Sequence, residues 1–442
     1  MLSDIQIFWY NHNMNQPITS KVNEKGHLEI GGCDLADLAA EFGTPLYVLD
    51  EVTIRSRCRE YKTAFKGRYD NTLIIYACKA LCNTAVLKLL SDEGIGFDVS
   101  SGGELYIARK ANCDLKNIYF HGNNKSKKEL EEAVDLGVGR VVVDNFDELK
   151  ALDAITQKAK KKADILFRIN PGIEAHTHEF IQTGQIDSKF GIAKEKAIDA
   201  VKLAAKMKYV KFVGLHSHIG SQIFDIKPYI ALVELLCDLA GSVLAETGIK
   251  CEDINIGGGI GIDYTGQDNV ISLDAVASEI VEVFKNKSQK LGAPKLILEP
   301  GRSIIGTAGV TLYSIGSIKD IPEIRKYIAV DGGMSDNPRP ILYGAVYDAL
   351  LANKANAPKT EKVTVAGRFC ESGDRLIKDI ELPKAEIGDI LCVFCTGAYN
   401  YSMASNYNRV GRPAMVLVNN GISSLILKRE AYEDLIANDV VL

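Results

Sequence analysis

Residues 72–101, TLIIYACKALCNTAVLKLLSDEGIGFDVSS, decide the fold. An apolar, β-branched run ends in Cys78-Lys79-Ala80, a stretch with apolar residues at helical spacing follows, and a second short strand-like run closes the segment. Strand, helix and strand in that order read as a parallel pair with a helical crossover. The unit recurs along the chain. Further runs lie at 117–122 (NIYFHG), 140–145 (RVVVDN), 164–170 (DILFRIN), 211–218 (KFVGLHSH), 253–259 (DINIGGG) and 295–301 (KLILEPG). Between them lie amphipathic stretches such as KSKKELEEAVDLG (125–137) and DELKALDAITQKAKKKA (147–163), apolar at three-and-four spacing. The basic end of the latter reads as a solvated helix terminus. Eight such units between residues 72 and 301 match a closed (β/α)8 barrel better than an open sheet.

The flanking chain reads differently. Residues 27–32, 45–49, 309–314, 326–331, 362–369, 389–395 and 414–427 have the pattern of short strands separated by turns. Two of these precede the barrel and five follow it. The expected architecture is therefore α/β: a (β/α)8 TIM-like barrel plus a second β-rich domain, sandwich- or barrel-like, built from both chain termini. The expected boundaries are a lead of no assigned role at 1–20, strands of the β-rich domain at 21–49, the barrel at 50–308 and the C-terminal β-rich domain at 309–442.

Composition narrows the function classes. Of 442 residues, 46% are hydrophobic and 25% charged, which excludes disordered and collagenous chains. The balance of 52 basic and 57 acidic residues gives net −5, so no nucleic-acid partner is expected. No uninterrupted apolar run reaches the ~18 residues of a membrane span. The N-terminus, MLSDIQIFWYNHNMNQPITS, lacks the basic start and apolar core of a secretory signal. A cytoplasmic protein with no membrane partner is expected. Ten scattered cysteines, several in apolar runs (Cys78, Cys237, Cys392), suit a reducing compartment. Cys392 and Cys395 form a CxxC with no second CxxC and no histidine cluster nearby, which reads as part of a core strand.

The unusual polar residues sit at or just past the C-terminal ends of the eight runs: Lys79, Asp98, His121, Asn145, Arg168 and Asn170, His216 and His218, Gly257 to Gly259, and Glu299. In a barrel those ends converge on one mouth, where barrel enzymes place their sites. Lys79 follows an apolar strand, so desolvation there would lower its pKa and free the amine for Schiff-base chemistry; a lysine snorkelling to the rim is the equal alternative. INIGGGIG (254–261) brings three glycines after a strand, able to let backbone N–H groups approach a phosphate. It fails the dinucleotide pattern, because Ile262 stands where the third glycine would fall. Glu299 ends an apolar strand and needs a proton-bearing partner, which a heteroaromatic N–H or the nearby Arg302 would provide. His216 and His218 alternate, as residues facing one side of a strand do. They read as hydrogen-bonded barrel histidines or as a ring stacked on an aromatic cofactor; no third ligand completes a metal set, and no metal is expected. A lysine for an aldehyde, glycines for a phosphate, a carboxylate for a ring nitrogen and an imidazole for a ring face are together the requirements of pyridoxal 5'-phosphate.

The motifs YACKA (76–80), FDVSSGGEL (97–105), HSHIGSQ (216–222), NIGGG (255–259), EPGRS (299–303), DGGMSDNPRPILY (331–343), CESGD (370–374) and GAYNYSMASNYN (397–408) resemble, in order, those of the barrel-type (fold type III) pyridoxal-phosphate-dependent decarboxylases. The chain is most similar to the branch that converts meso-2,6-diaminopimelate to L-lysine and CO2, the last step of bacterial lysine synthesis. Ornithine and arginine decarboxylases and alanine racemase are more distant. HTHEFIQTGQIDSKFGI (176–192) also looks like that branch. The resemblance implies that Lys79 carries the cofactor, with Asp98 and the turn at Gly301 beside it. It implies that His218 stacks on the pyridine face, that Glu299 pairs with the ring nitrogen, and that Ser221, Gly258 and Gly259 hold the phosphate. Arg302, Arg339, Tyr343 and Tyr399 match substrate-holding positions, Arg302 and Tyr399 touching the cofactor as well. Cys370 and Glu371 match a loop that enters a neighbouring subunit's site, Cys370 as the proton donor and Glu371 as the group binding the far ammonium. A homodimer with shared sites follows from the resemblance. Diamine-producing relatives typically carry aspartate after the loop cysteine, so Glu371 favours a substrate with a distal carboxylate. Decarboxylases of ornithine, arginine or carboxynorspermidine are the alternative reading.

Overall fold

The computed structural model describes residues 15–173, 187–440 and 442. The lead at 1–14 and most of the 176–192 motif lie outside the described residues. The chain divides into two compact units: Arg57–Gly261 with Val270–Gly301, and the remainder, comprising the segment up to Ser56, Ile262–Asn269 and Arg302–Leu442.

The first unit is the expected barrel. Its eight parallel strands are Thr72–Ala77, Gly96–Val99, Ile118–Phe120, Arg140–Val143, Ala163–Asn170, Val210–His216, Asp253–Asn255 and Lys295–Leu298. They pair in chain order, and the eighth strand pairs with the first, so the sheet closes without an edge. Ile75, Tyr119, Val142, Leu166, Val213 and Ile297, from six strands, fill the interior. Local chemistry places the helices. Helix Lys127–Leu136 starts in a capping box of Ser126 and Glu129 and stops at Gly137, whose φ of 65° is the left-handed value glycine tolerates. Asn145 is a cap too: its side chain accepts from Glu148 N at 2.9 Å, so its place at a strand end is explained by the helix that follows. Helix Lys227–Thr247 is long and apolar enough in composition to cross a membrane. Its stripe Tyr229, Leu232, Val233, Leu236, Cys237, Ala240 and Val243 is buried at helical spacing, as a barrel helix requires.

The second unit is β-rich. A small antiparallel sheet is made of Lys21–Val22, Leu28–Ile30 and Cys33–Asp34. The larger sheet runs Arg375–Leu382, Glu361–Ala366, Arg325–Val330, Gly309–Ile321, Leu46–Asp50, Ala414–Asn419 and Ile422–Leu427, with Ile390–Val393 and Ala349–Leu351 branching from the Gly309–Ile321 strand. Leu46–Asp50, buried throughout, sits between an antiparallel neighbour at 309–312 and a parallel one at 414–418. A strand from before the barrel therefore completes a sheet made after it. Sequence patterning missed Ala349–Leu351 and Arg375–Leu382; the latter, RLIKDIEL, breaks strict alternation because its pairing with Glu361–Ala366 shifts register twice. Asn15, at the edge of the unassigned lead, is buried, its Nδ2 donating to Asp348 Oδ2 at 3.2 Å.

The N-terminal strand ends carry a polar cluster. Asp253 is 1% exposed and accepts from Arg140 Nε at 2.7 Å and the Tyr119 hydroxyl at 3.2 Å, with Lys295 Nζ 3.7 Å away. Removing one partner of a buried ion pair strands the other charge. Asp253→Ala is expected to lower the unfolding free energy by about 3–5 kcal/mol. The cluster lies at strand starts, so the folded variant should keep its activity; urea denaturation and a steady-state assay check both.

Candidate active site

The C-terminal strand ends of the barrel gather around Glu299, which follows the last strand and is buried. His121, just past the third strand, brings Nε2 within 2.9 Å of Glu299 Oε1. His216, the last residue of the sixth strand, places Nε2 3.2 Å from Oε2. Asn255, the last residue of the seventh, donates from Nδ2 to Oε1 at 2.7 Å. The two imidazoles meet edge to face, with centroids 4.7 Å apart. Burial opposes ionisation of Glu299, but the adjacent imidazoles outweigh it and hold the carboxyl well below the usual carboxylate range. Burial also pushes His216 down to about 4 despite the carboxylate beside it. Asp98, in the second strand, is buried with Oδ1 3.8 Å from His121 Nε2 and without a hydrogen-bond partner. Burial raises its pKa, so of two neighbouring carboxyls Glu299 is the one held charged.

The loop after the sixth strand and the glycine run after the seventh are bound together. Ile223 N donates to Gly259 O at 3.0 Å and Gly261 N to Ile223 O at 3.1 Å. Gly258 N donates to His218 Nδ1 at 3.3 Å, and the Tyr229 hydroxyl donates to Gly258 O at 3.1 Å. That N–H fixes the His218 tautomer with its proton on Nε2. Burial, with the positive charges of Lys79 and Arg168, holds His218 far below its ordinary pKa, so the ring is neutral. No side chain fits on the run: a Cβ on Gly258 would stand 2.1 Å from Glu299 O, and one on Gly259, at φ 108°, 2.2 Å from Gly220 O. Ser221 lies between Gly220 and Gln222, both at positive φ.

Two expectations change and one is decided. His218 lies beyond the strand that ends at His216, so the two rings do not share a role: one faces Glu299, the other the glycine run. Lys79 is exposed, because it sits in the turn Cys78–Ala80 after the first strand; of the two readings the sequence left open, desolvation or reach to the rim, the exposure fits the second. The third metal-ligand position that sequence could not find is supplied by barrel closure: atoms of His121, His216 and Glu299 lie within 4.8 Å of one another, a set able to hold a divalent ion. A buried charged carboxylate, a neutral imidazole beside a side-chain-free glycine run and an accessible lysine also fit pyridoxal phosphate.

The second unit holds the remaining residues. Arg302 and Arg339, both buried, donate to the same Tyr264 hydroxyl, at 2.5 and 2.7 Å. Arg339 also donates to the Tyr347 hydroxyl at 2.9 Å, and that hydroxyl donates to Asn400 Oδ1 at 3.3 Å. Tyr399 lies under the Arg302 guanidinium, 4.7 Å from centroid to carbon, and Tyr343 is 5.9 Å from that of Arg339. Cys370 and Glu371 are exposed on a loop pinned by the buried Asp374, which accepts from Phe369 N at 2.9 Å and Met334 N at 2.7 Å. Asn255, Tyr264 and Tyr347 escaped sequence reasoning. Asn255 lay inside a quoted motif; no pattern marks the two tyrosines.

Comparison with known proteins agrees with this chemistry. A family model described as pyridoxal-dependent decarboxylase, pyridoxal binding domain, matches residues 51–306. A diaminopimelate decarboxylase of Bacillus methanolicus is 49% identical over 416 residues, 93% of this chain and 96% of that protein. The crystal structure of diaminopimelate decarboxylase from M. jannaschii is similar with a TM-score of 0.92 and 40% identity, covering 98% of this chain and 99% of that one. A co-complex of diaminopimelate decarboxylase from M. jannaschii with L-lysine gives 0.91 and 40% over 97% and 99%.

The Glu299 cluster makes stability pH-dependent. With His216 at about 4 when folded against an ordinary 6.5, the unfolded chain takes up the proton first as pH falls. The corresponding stability, about 3 kcal/mol, is present above pH 6.5 and lost toward pH 4. Glu299, also depressed, acts in the same direction. His216→Gln is expected to flatten the fall of the urea midpoint between pH 7 and pH 5; an unchanged slope would remove His216 from the account.

Proposed function

The chain belongs to the pyridoxal-dependent decarboxylases of the diaminopimelate decarboxylase family, and from that premise we propose that it releases one carboxylate of meso-2,6-diaminopimelate as CO2 and leaves L-lysine. One observation carries the reading at the level of chemistry: Glu299 is buried yet held ionised by two imidazoles and an amide. Pyridoxal phosphate, when bound, supplies an electron sink that stabilises the carbanion left at Cα.

The roles of individual residues are our assignment. Lys79 anchors the cofactor through its amine, which the turn at the first strand's end leaves reachable. Glu299 would accept the hydrogen bond of the protonated ring nitrogen and keep that proton in place. Asp98 and the Gly301 turn border the cofactor. Neutral His218 would pack on the ring face, and Ser221, Gly258 and Gly259 would take the phosphate, which needs close backbone approach and no side chains. Arg302 and Arg339, with Tyr343 and Tyr399, hold the carboxylate at the unreactive end of the substrate. Glu371 meets the distal ammonium, and Cys370 returns a proton to Cα. The buried Arg339 would stay uncompensated without a matching carboxylate, so substrates lacking that group are expected to be disfavoured.

We assign a homodimer in which a second copy supplies Cys370 and Glu371. Both are exposed on one copy, beside an apolar group that a monomer would leave in water: Ile341, Leu342 and Val346 are 39%, 49% and 64% exposed. No disulfide joins any of the ten cysteines, which supports a reducing, cytoplasmic setting.

The test is CO2 release with added pyridoxal phosphate from meso-diaminopimelate, ornithine, arginine and lysine. Release from diaminopimelate alone, with lysine as product, is expected; release from ornithine or arginine would show the distal recognition to be misread. Lys79→Ala should abolish turnover with an unchanged circular dichroism spectrum. Cys370→Ala should lower kcat far more than it raises KM, and an unchanged kcat would remove Cys370 as proton donor.

A further inference from the structure

Tyr264 sits at the meeting point of the two arginines. Both guanidinium groups donate to its single hydroxyl oxygen, and all three side chains are buried. A phenol oxygen has two lone pairs, so both are used. Two like charges on one atom repel, and a neutral phenol does not cancel them. The partners Arg339 finds among the described residues are the hydroxyls of Tyr264 and Tyr347, and no ion pair joins it to a carboxylate. The arrangement gives one nitrogen of each guanidinium a neutral acceptor and leaves the Arg339 charge for an incoming anion.

The hydroxyl is itself held in place. Asp263 Oδ1 accepts from the backbone N–H groups of Thr265, Gly266 and Asp268 at 3.0, 2.7 and 3.3 Å. Asp268 Oδ2 accepts from Tyr264 N at 3.0 Å, and Cys395 Sγ donates to Asp263 O at 3.3 Å. The ring packs edge-on against Tyr347, with centroids 5.3 Å apart. The segment that carries Tyr264 is therefore fixed at its backbone and at its ring, and its one polar atom is used on the two arginines.

We propose that Tyr264 is a positioning and specificity-determining residue: it sets the spacing of the Arg302 and Arg339 guanidinium groups so that together they take one carboxylate of a dicarboxylic substrate. The inference rests on the assignment of diaminopimelate as substrate, but the clamp is testable apart from it. Removing the hydroxyl leaves both cations, frees their relative position and lets them drift apart.

The experiment compares the loaded full-length protein with Tyr264→Phe, which keeps the ring, and Tyr264→His, which keeps a ring with an acceptor. Two quantities are read: KM and kcat for meso-diaminopimelate, and the dissociation constants of heptanedioate, a dicarboxylate without amino groups, and of hexan-1-amine, which has no carboxylate. Cofactor absorbance and the melting temperature confirm loading and folding. For Tyr264→Phe, KM and the heptanedioate constant are expected to rise about tenfold, because both guanidinium groups lose their shared acceptor. The kcat and hexan-1-amine values should stay within about twofold, since a change under 0.5 kcal/mol is what an uninvolved position gives. Tyr264→His should fall between, and serves alone where Tyr264→Phe does not fold. Unchanged KM and heptanedioate binding, or a fall in kcat alone, would overturn the proposal. Inactivity of the unmodified protein on diaminopimelate would overturn the substrate assignment instead, while heptanedioate binding still judges the clamp.

Discussion

A carboxylate that stays charged inside a protein is costly unless the groups around it are placed in advance. Glu299 is such a group, and the barrel is what places its partners. His121 comes from the third strand, His216 from the sixth and Asn255 from the seventh, residues remote in sequence that meet only when the eighth strand pairs with the first. Closure is therefore an electrostatic requirement of the site as much as a way to remove sheet edges. The same parallel strands start at the buried Asp253 cluster, so one end of the barrel secures the fold and the other carries the chemistry.

The two units carry different kinds of recognition. In the barrel, the charged carboxylate, the neutral His218 ring and the glycine run suit an aromatic phosphate-bearing cofactor whose ring nitrogen must keep its proton. In the second unit, phenols rather than carboxylates satisfy Arg339, and Arg302 shares the same oxygen. Neutral acceptors keep Arg339 in position without spending its charge. A chain built from those two parts is suited to a reaction common to a large family, directed to a substrate with two carboxylates.

Much of this was legible in the sequence, because strand ends leave a local trace. All eight barrel strands, and the polar residues that follow them, could be read from β-branched runs and helical spacing. Less visible was whatever depends on distant pairing. Leu46–Asp50 was recognisable as a strand, but not as the one that joins the Gly309–Ile321 and Ala414–Asn419 strands. Lys79 could be read either as desolvated or as reaching the rim; the turn at Cys78–Ala80 carries it out of the strand and exposes it. His216 and His218 looked like one pair by alternation, yet the strand stops between them. Tyr264 and Tyr347 left no signal, since a tyrosine near an apolar run is an ordinary core residue until two arginines are seen to meet it.

The central claim is that Glu299 is ionised by its surroundings so that a cofactor ring nitrogen keeps its proton. The most direct measurement is the 15N chemical shift of that nitrogen in protein loaded with ring-labelled pyridoxal phosphate, followed from pH 7 to pH 9, in the unmodified chain and in Glu299→Gln. A protonated nitrogen is expected throughout in the unmodified protein and an unprotonated one in the variant. An unprotonated nitrogen in the unmodified protein, or a variant identical to it, would contradict the account.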